Sequence, residues 1–552
     1  MGPIMRARNQ SNGLSLHAIA GTYVVMLGID ATDQPKLKGL LGFAIHREDQ
    51  TENEQYWLQG FKTFEEVTPN PTPGSLVSTR EAPIQYFLWS DYTAKTNHKY
   101  VYTVVPISGT PKNLVEGEGV SVTISTEPED TGTHAVYFNR GVIGSQAYTR
   151  KFGNVAPDKA QDPAAAYQWL SRGLEEAIIA FIGQAKGKRF GLRAAVYEFD
   201  WAPVLEAFGA AAKSGADVQI VYDHRKPQPG KATDKAVKAA GIAKLMKKRA
   251  ANPSYLSHNK FIVLLEDGSP TQVWTGSTNF TESGIFGQSN VGHLVRDADL
   301  AAAYLEYWKR LDDDEEAKQL RKDNLDQTPE PDGAPPANST TPLFSPRPSL
   351  DVMQWYADRL DAAQKSACFT AAFGVNATLA DVLAKRKSYL RYVLMEKPDK
   401  NMKKITQDAN VRIAIGATLD ESAANALERW VVEEHNPLGV HVLYIHSKYM
   451  LLDPVGDTPT VITGSANFSD ASTKNNDENM VVIEGDTNVA DVYLGEFMRM
   501  FDHFEFRDIQ NRLAAKPGSD IRKTAFLAPD DSWVQSFFGG NPYRTLQRKL
   551  FA

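Results

Sequence analysis

His446-Ser447-Lys448-Tyr449-Met450-Leu451-Leu452-Asp453, then Val461-Ile462-Thr463-Gly464-Ser465-Ala466-Asn467, then Glu478-Asn479, is the stretch that decides the fold. The apolar run after Lys448 reads as a buried strand with polar groups at its start, and the second run leads another strand into Gly464. Two adjacent strands would then deliver an imidazole, an ammonium, a hydroxyl and an amide to one place. An earlier stretch repeats the pattern: His258-Asn259-Lys260-Phe261-Ile262-Val263-Leu264-Leu265, then Val273-Trp274-Thr275-Gly276-Ser277-Thr278-Asn279. His258 precedes Gly276 by 18 positions, His446 precedes Gly464 by the same 18, and the two histidines lie 188 apart. Two copies in register, a domain length apart, mark an internal duplication.

His-x-Lys-x4-Asp followed by Gly-Ser-x-Asn, twice in one chain, resembles the phospholipase D superfamily over roughly residues 155–510. Lys474-Asn475-Asn476-Asp477-Glu478-Asn479-Met480-Val481-Val482 also resembles the small bacterial nucleases of that superfamily. The first copy departs from the pattern, with Leu265 standing where the second has Asp453. The resemblance implies an α/β chain of two duplicated α/β/α repeats packed as a pseudo-dimer, with a shared active site between them. It also implies a two-step, metal-independent phosphodiesterase with no cofactor, in which one histidine attacks phosphorus and the other serves as acid and then base.

The residue types suit that chemistry. A phosphodiester repels nucleophiles, so cleavage needs positive charge and hydrogen-bond donors around its oxygens. Lys260 and Lys448 would supply charge; Asn279 and Asn467 would join them in catalysis as neutral donors, with Ser277, Ser465 and the adjoining Gly276 and Gly464 binding the substrate. The ordinary histidine pKa sits near neutrality, which suits His258 and His446 to the parts of nucleophile and acid. A nucleophilic imidazole also needs an acceptor on its far nitrogen. Glu478, 32 positions after His446, suits that role, with Asp453 supporting the motif; straight counting puts Asn290 at the matching place in the first copy, and sliding by one puts Ser289 there. The expectation is that His446, backed by Glu478, attacks and His258 is the acid, although relatives more often assign attack to the N-terminal histidine. Among carboxylates and histidines, no cluster stands at metal-ligand spacing.

Organisation follows from the flanks. Residues 10–135 carry short β-branched and aromatic runs separated by turn residues, which predicts an all-β sandwich that looks like a fibronectin-type module and serves as a packing or interaction domain. Residues 155–312 are the first repeat, with a basic helix over 231–249; 313–341 are a Pro-rich, charged linker draped on the surface; 342–510 are the second repeat, with helices over 422–434 and 489–504. The tail, 511–552, holds Trp533, Phe537, Phe538 and Tyr543 and should pack on the catalytic core. His17, His46, His224, His293 and His503 have no repeat partner and read as structural, while His441 and Lys474 lie near enough to the motif to contact substrate.

The 552 residues, with Lys+Arg 60 against Asp+Glu 67 and a net charge of −7, exclude a surface that is basic all over. The single cysteine, Cys368, excludes internal disulfides and thiolate clusters. No apolar run reaches the ~20 residues that span a bilayer. The stretch 14–27 reads as a strand pair rather than a signal peptide, which points to a cytoplasmic protein, monomeric because the duplication completes its own site, with peripheral membrane contact open. Three substrate readings stay open. A phospholipid headgroup is the leading one. A nucleic acid is next, favoured by the basic tracts Lys235, Lys238, Lys244, Lys247, Lys248, Arg249 and Lys385, Arg386, Lys387, Arg391, Lys397, Lys400, Lys403, Lys404. A catalytically impaired binding protein is the third.

Overall fold

In the computed structural model, which describes residues 4–32, 37–72, 74–141, 145–153, 155–225, 229–419, 423, 438, 442–518 and 521–552, each His-x-Lys motif feeds a central strand of its own seven-stranded sheet. Across the first sheet the order is His134–Phe138, Val291–Val295, Ser269–Gly276, Lys260–Glu266, Phe190–Val196, Asp217–Asp223 and Met246–Arg249. Across the second it is Ser339–Ser345, Glu478–Glu484, Thr460–Gly464, Tyr449–Leu452, Ser366–Ala371, Leu390–Met395 and Val411–Ile415. The two orders match strand for strand. In each, the last three strands run parallel and the others pair antiparallel. The central strands are apolar without alternation because both faces are covered. In the first repeat, Leu174–Ile182 and Ala202–Lys213 pack on one face and Ala298–Asp312 on the other. The core under that last helix also takes in Phe344 and Val481 from the second repeat, so one apolar cluster spans both halves.

Polar contacts tie the halves as closely. The backbone of Ser257 bridges to Asp477, and that of Ile445 bridges to Ser289, so the chain just before each motif pairs with the other repeat. Arg249 is buried between Asp477 of the second repeat, at 3.0 Å, and Asp314, at 2.8 Å. Asn479 donates to Asn259 at 2.8 Å and accepts from Thr275 and Tyr304, all buried.

The N-terminal region forms two antiparallel sheets around a common core. One runs Arg6–Ser11, Leu14–Ala20, Val25–Ala31, Leu88–Asp91; the other is built on Lys99–Thr110 and Gly42–Asp49. Residues 14–31 are thus a strand pair. This region docks on the long helix Thr487–Ala514, where Ile19, Val24 and Met26 join the core of the second repeat and Arg6 reaches buried Asp491 at 2.7 Å.

Several boundaries differ from the sequence reading. Residues 134–138 belong to the edge of the first repeat's sheet, because their apolar side chains find a partner in Val291–Val295. The stretch 313–341 is not structure-poor: Ala317–Gln327 is a helix that buries Leu320 and Asn324, and Ser339–Ser345 is the edge strand of the second sheet. Only its middle carries the prolines. The basic segment 231–249 is a helix only over Gly230–Ala239; its end, Met246–Arg249, is the outer strand. The closing helix of the second repeat extends to Ala514. The tail divides its rings between two partners: Phe537 packs with Phe43 and Phe87 of the β region, whereas Tyr543 and Phe551 join the core of the second repeat. The helix expected over 422–434 lies outside the described residues.

Removing one member of a buried ion pair leaves the other charge uncompensated, at a cost of about 3–5 kcal/mol. Arg249→Met is therefore expected to lower stability by roughly that amount, seen as a lower midpoint in denaturant unfolding, whereas Arg189→Met, which removes an exposed pair with Asp267, should leave the midpoint nearly unchanged.

Candidate active site

Both motif histidines line one cavity of about 540 Å³ between the repeats, together with Tyr197, Glu198, Asp200, Asn279, Phe373 and Asn467. Each histidine ends the segment that is bridged to the other repeat, so the partner repeat supplies its acceptor. His258 Nδ1 lies 2.9 Å from Glu478 Oε2, and His446 Nδ1 lies 2.9 Å from Asn290 Oδ1. Asn290 Nδ2 donates to the Gly284 carbonyl at 2.8 Å, which fixes its Oδ1 as the acceptor and makes His446 Nδ1 the donor. Glu478, fully buried, also accepts from Ser465 Oγ at 2.7 Å and Ser472 Oγ at 3.0 Å. With both Nδ1 atoms occupied, Nε2 is the nitrogen each ring keeps for a ligand.

This corrects the sequence reading. Straight counting does find the right partner, Asn290, for Glu478, and Ser289 is instead the bridged residue beside it. The acceptors, however, are exchanged between the copies: the carboxylate backs His258 and the amide backs His446. Distance along the chain pointed to His446 because Glu478 shares its repeat, but the acceptor strands cross at the interface.

Lys260 and Lys448 are 2% and 1% exposed, and each Nζ donates to the carbonyl of its own histidine. Burial, opposed by Glu478, holds Lys260 down at about 8. Burial and the Lys260 charge hold Lys448 well below the usual amine range. Burial and the same two lysines push both imidazoles well below the ordinary histidine range. Burial also drives the Glu478 carboxyl the other way, up to about 7, against the pull of Lys260. Such perturbed groups in a cleft are the usual signature of a site built for chemistry.

The other expected residues take different places. Ser277 Oγ donates to Asn290 Oδ1 at 2.8 Å, as Ser465 does to Glu478, so both serines orient the acceptors and do not reach the cavity. Gly276 and Gly464 serve the backbone: at φ +132 and +158, a Cβ on either would sit 2.2 Å from a carbonyl oxygen of the adjacent strand. Asp453 points away, at the far end of its strand, where it accepts from the amides of Gln364 and Ser366. Its absence from the first copy therefore removes a turn contact and leaves the cavity intact. Asn279 lines the cavity, but its Nδ2 donates to Glu198 at 2.6 Å. Lys474 is exposed. His17 meets the Phe551 carbonyl, and His293 is buried between His134 and Tyr493. His441 lies outside the described residues.

Sequence reasoning missed four carboxylates. Glu198 and Asp200 follow directly on the strand Phe190–Val196 and face the cavity. Asp223 and Glu396 end matching strands and accept from the amides of Ser257 and Ile445, one residue before each histidine. An acidic residue at or within a few positions of the end of an apolar strand of the repeat is the signal that could have found them.

A family model described as cardiolipin synthase, PLD-like domain, matches residues 178–311 and 358–501, about half of the chain. No curated protein matches the chain in sequence. Among solved structures it is similar to a phosphatidylserine synthase from Haemophilus influenzae, at 15% identity and TM-score 0.43 over 69% of this chain and 93% of that one. It is similar also to Nuc, a phospholipase D family member from Salmonella typhimurium, at 24% identity and TM-score 0.22 over 32% and 91%. A polyphosphate kinase from Porphyromonas gingivalis aligns at 11% identity and TM-score 0.41 over 59% of this chain, which spans 48% of the kinase.

Two amines held below their ordinary range by burial should gain protons when an anion arrives. Calorimetric titration with tungstate at pH 8, in buffers of differing ionisation enthalpy, is expected to show net proton uptake, and Lys260→Met should reduce it.

Proposed function

The chain belongs to the phospholipase D superfamily, whose members act on phosphodiesters, and we propose that it cleaves a phospholipid headgroup through a phosphohistidine on His258. The observation that carries the choice of nucleophile is the crossed pairing of His258 with Glu478. When His258 Nε2 bonds to phosphorus the ring becomes cationic, and a carboxylate on Nδ1 stabilises that charge where a neutral amide does not. His446, held by the Asn290 amide, is then the acid. In the first step the N–P bond forms and the bond from phosphorus to the headgroup oxygen breaks, the His446 Nε2 proton passing to that oxygen. In the second, water gives its proton to His446 as its oxygen displaces His258. The lysines favour the anionic substrate, whose charge in turn offsets theirs and restores the proton on His446.

The cavity supports a small alcohol as leaving group. Its described lining holds no arginine or lysine, and it does hold Glu198 and Asp200, which would repel the flanking phosphates of a nucleic acid. Of the two basic tracts, Lys385 and Lys387 pair with Asp361, and Arg391 is buried on Asp408. Phe373, 59% exposed at the cavity, offers an apolar surface for acyl chains or a membrane. Among the described residues no helix is long and apolar enough to cross a membrane. A nuclease of the same family remains the competing reading, and a cytoplasmic monomer fits either.

An activated aryl phosphodiester, quenched in a single turnover, tests the assignment. His446→Ala should accumulate a phosphoenzyme on His258, since the good leaving group needs no acid while hydrolysis still needs a base; His258→Ala should form none. An adduct on His446 would overturn it. Glu478→Gln is expected to lower turnover by about 10³–10⁴. In the wild type, kcat/KM should fall as pH drops through about 7, where Glu478 gains its proton, and Glu478→Gln should flatten that limb.

A further inference from the structure

We propose that the first repeat's side of the cavity is a subsite for a primary ammonium on the alcohol of the phosphodiester, held by Glu198, Asp200 and the amide oxygen of Asn279. The proposal rests on the phosphodiesterase reading above and names the class of headgroup. Asn279 is 5% exposed, and its Nδ2 is committed to Glu198 Oε2. That bond fixes the amide orientation, and Oδ1 has no partner among the described residues. The motif asparagine of the first repeat therefore presents an acceptor where a phosphate ligand would require a donor. Buried acceptors of this kind are met by a donor, here one that the ligand must bring.

The carboxylates define the charge of that donor. Glu198 and Asp200 line the same cavity as Asn279. Burial, then Glu198 and Glu282, raise the Asp200 carboxyl to about 6, so the groups that act on it repel rather than neutralise it. The buried hydroxyl of Thr233, also in the lining, has no partner either. On the second repeat Asn467 Oδ1 is likewise without a partner among the described residues, but no carboxylate of the lining accompanies it. Val196 pairs with Tyr222 as Ala371 pairs with Met395, which makes Phe373 the counterpart of Glu198. The described lining from the second repeat contains no carboxylate.

Three acceptors suit the three N–H groups of a primary ammonium. A trimethylammonium would leave Asn279 Oδ1 unmet, and a polyol headgroup would bring no charge to Asp200, whereas Glu198 already feels Lys260 and Lys448. A site built on hydrogen bonds discriminates strongly against analogues that lack them.

The experiment compares kcat/KM for short-chain phosphatidylethanolamine, phosphatidylcholine and phosphatidylglycerol, for glycerophosphoethanolamine, and for an aryl phosphodiester. In parallel, calorimetry on His258→Ala compares binding of phosphoethanolamine with that of phosphocholine and glycerol phosphate. The expected result is a preference of about tenfold or more for the ethanolamine lipid, reduced severalfold in both Glu198→Gln and Asp200→Asn, with phosphoethanolamine the tightest ligand. Equal rates for the three lipids, a preference for choline, or a preference that neither variant reduces would overturn the subsite. Cleavage of glycerophosphoethanolamine with none of the lipids would support the ammonium subsite and move the substrate off the membrane. Absence of all cleavage would sink the phosphodiesterase reading instead. The binding arm then decides the subsite: phosphoethanolamine no tighter than glycerol phosphate would end it.

Discussion

Each histidine takes its acceptor from the opposite repeat, and much of the remaining structure serves that exchange. For Glu478 to reach His258, the chain before each motif must cross to the other half. It does so through the paired backbone bridges of Ser257 with Asp477 and Ile445 with Ser289. Asp223 and Glu396 pin the same segments from behind. Neither repeat alone supplies the acceptor that fixes its ring tautomer, so the site exists only where the two repeats meet.

The electrostatics follow from the same burial. Two lysines, two imidazoles and one carboxyl share a desolvated space, which disfavours the charged form of each. The bases are held below their ordinary range and the acid above it. An entering phosphodiester brings the missing negative charge, which is how a site can be poorly matched to itself and well matched to its ligand.

Much of this was legible in the residues. The offset of 188 positions carries over to strand order, to the Asn290–Glu478 correspondence and to the two serines, because a duplication keeps its register wherever the strands must still pair. What escaped was whatever depends on contacts between distant elements. The partner of His258 is 220 positions away. The helix over Ala317–Gln327 is weakly apolar and gains its stability from Leu320 and Asn324 against neighbours that sequence does not reveal. Asp453 reads as a supporting residue by its place in the motif, yet on a strand the far end of a run lies several residues' rise from its start.

The covalent joining of the two repeats has a further result. A pair of identical subunits with this architecture would place either two carboxylates or two amides behind its imidazoles, and the same side chain at both Glu198 and Phe373. Whatever it gained in one half-site it would be obliged to copy in the other. A single chain escapes that obligation: one half can specialise in attack and the other in proton transfer, and the mouth of the site can acquire a polarity, with a direction in which an unsymmetrical molecule must enter.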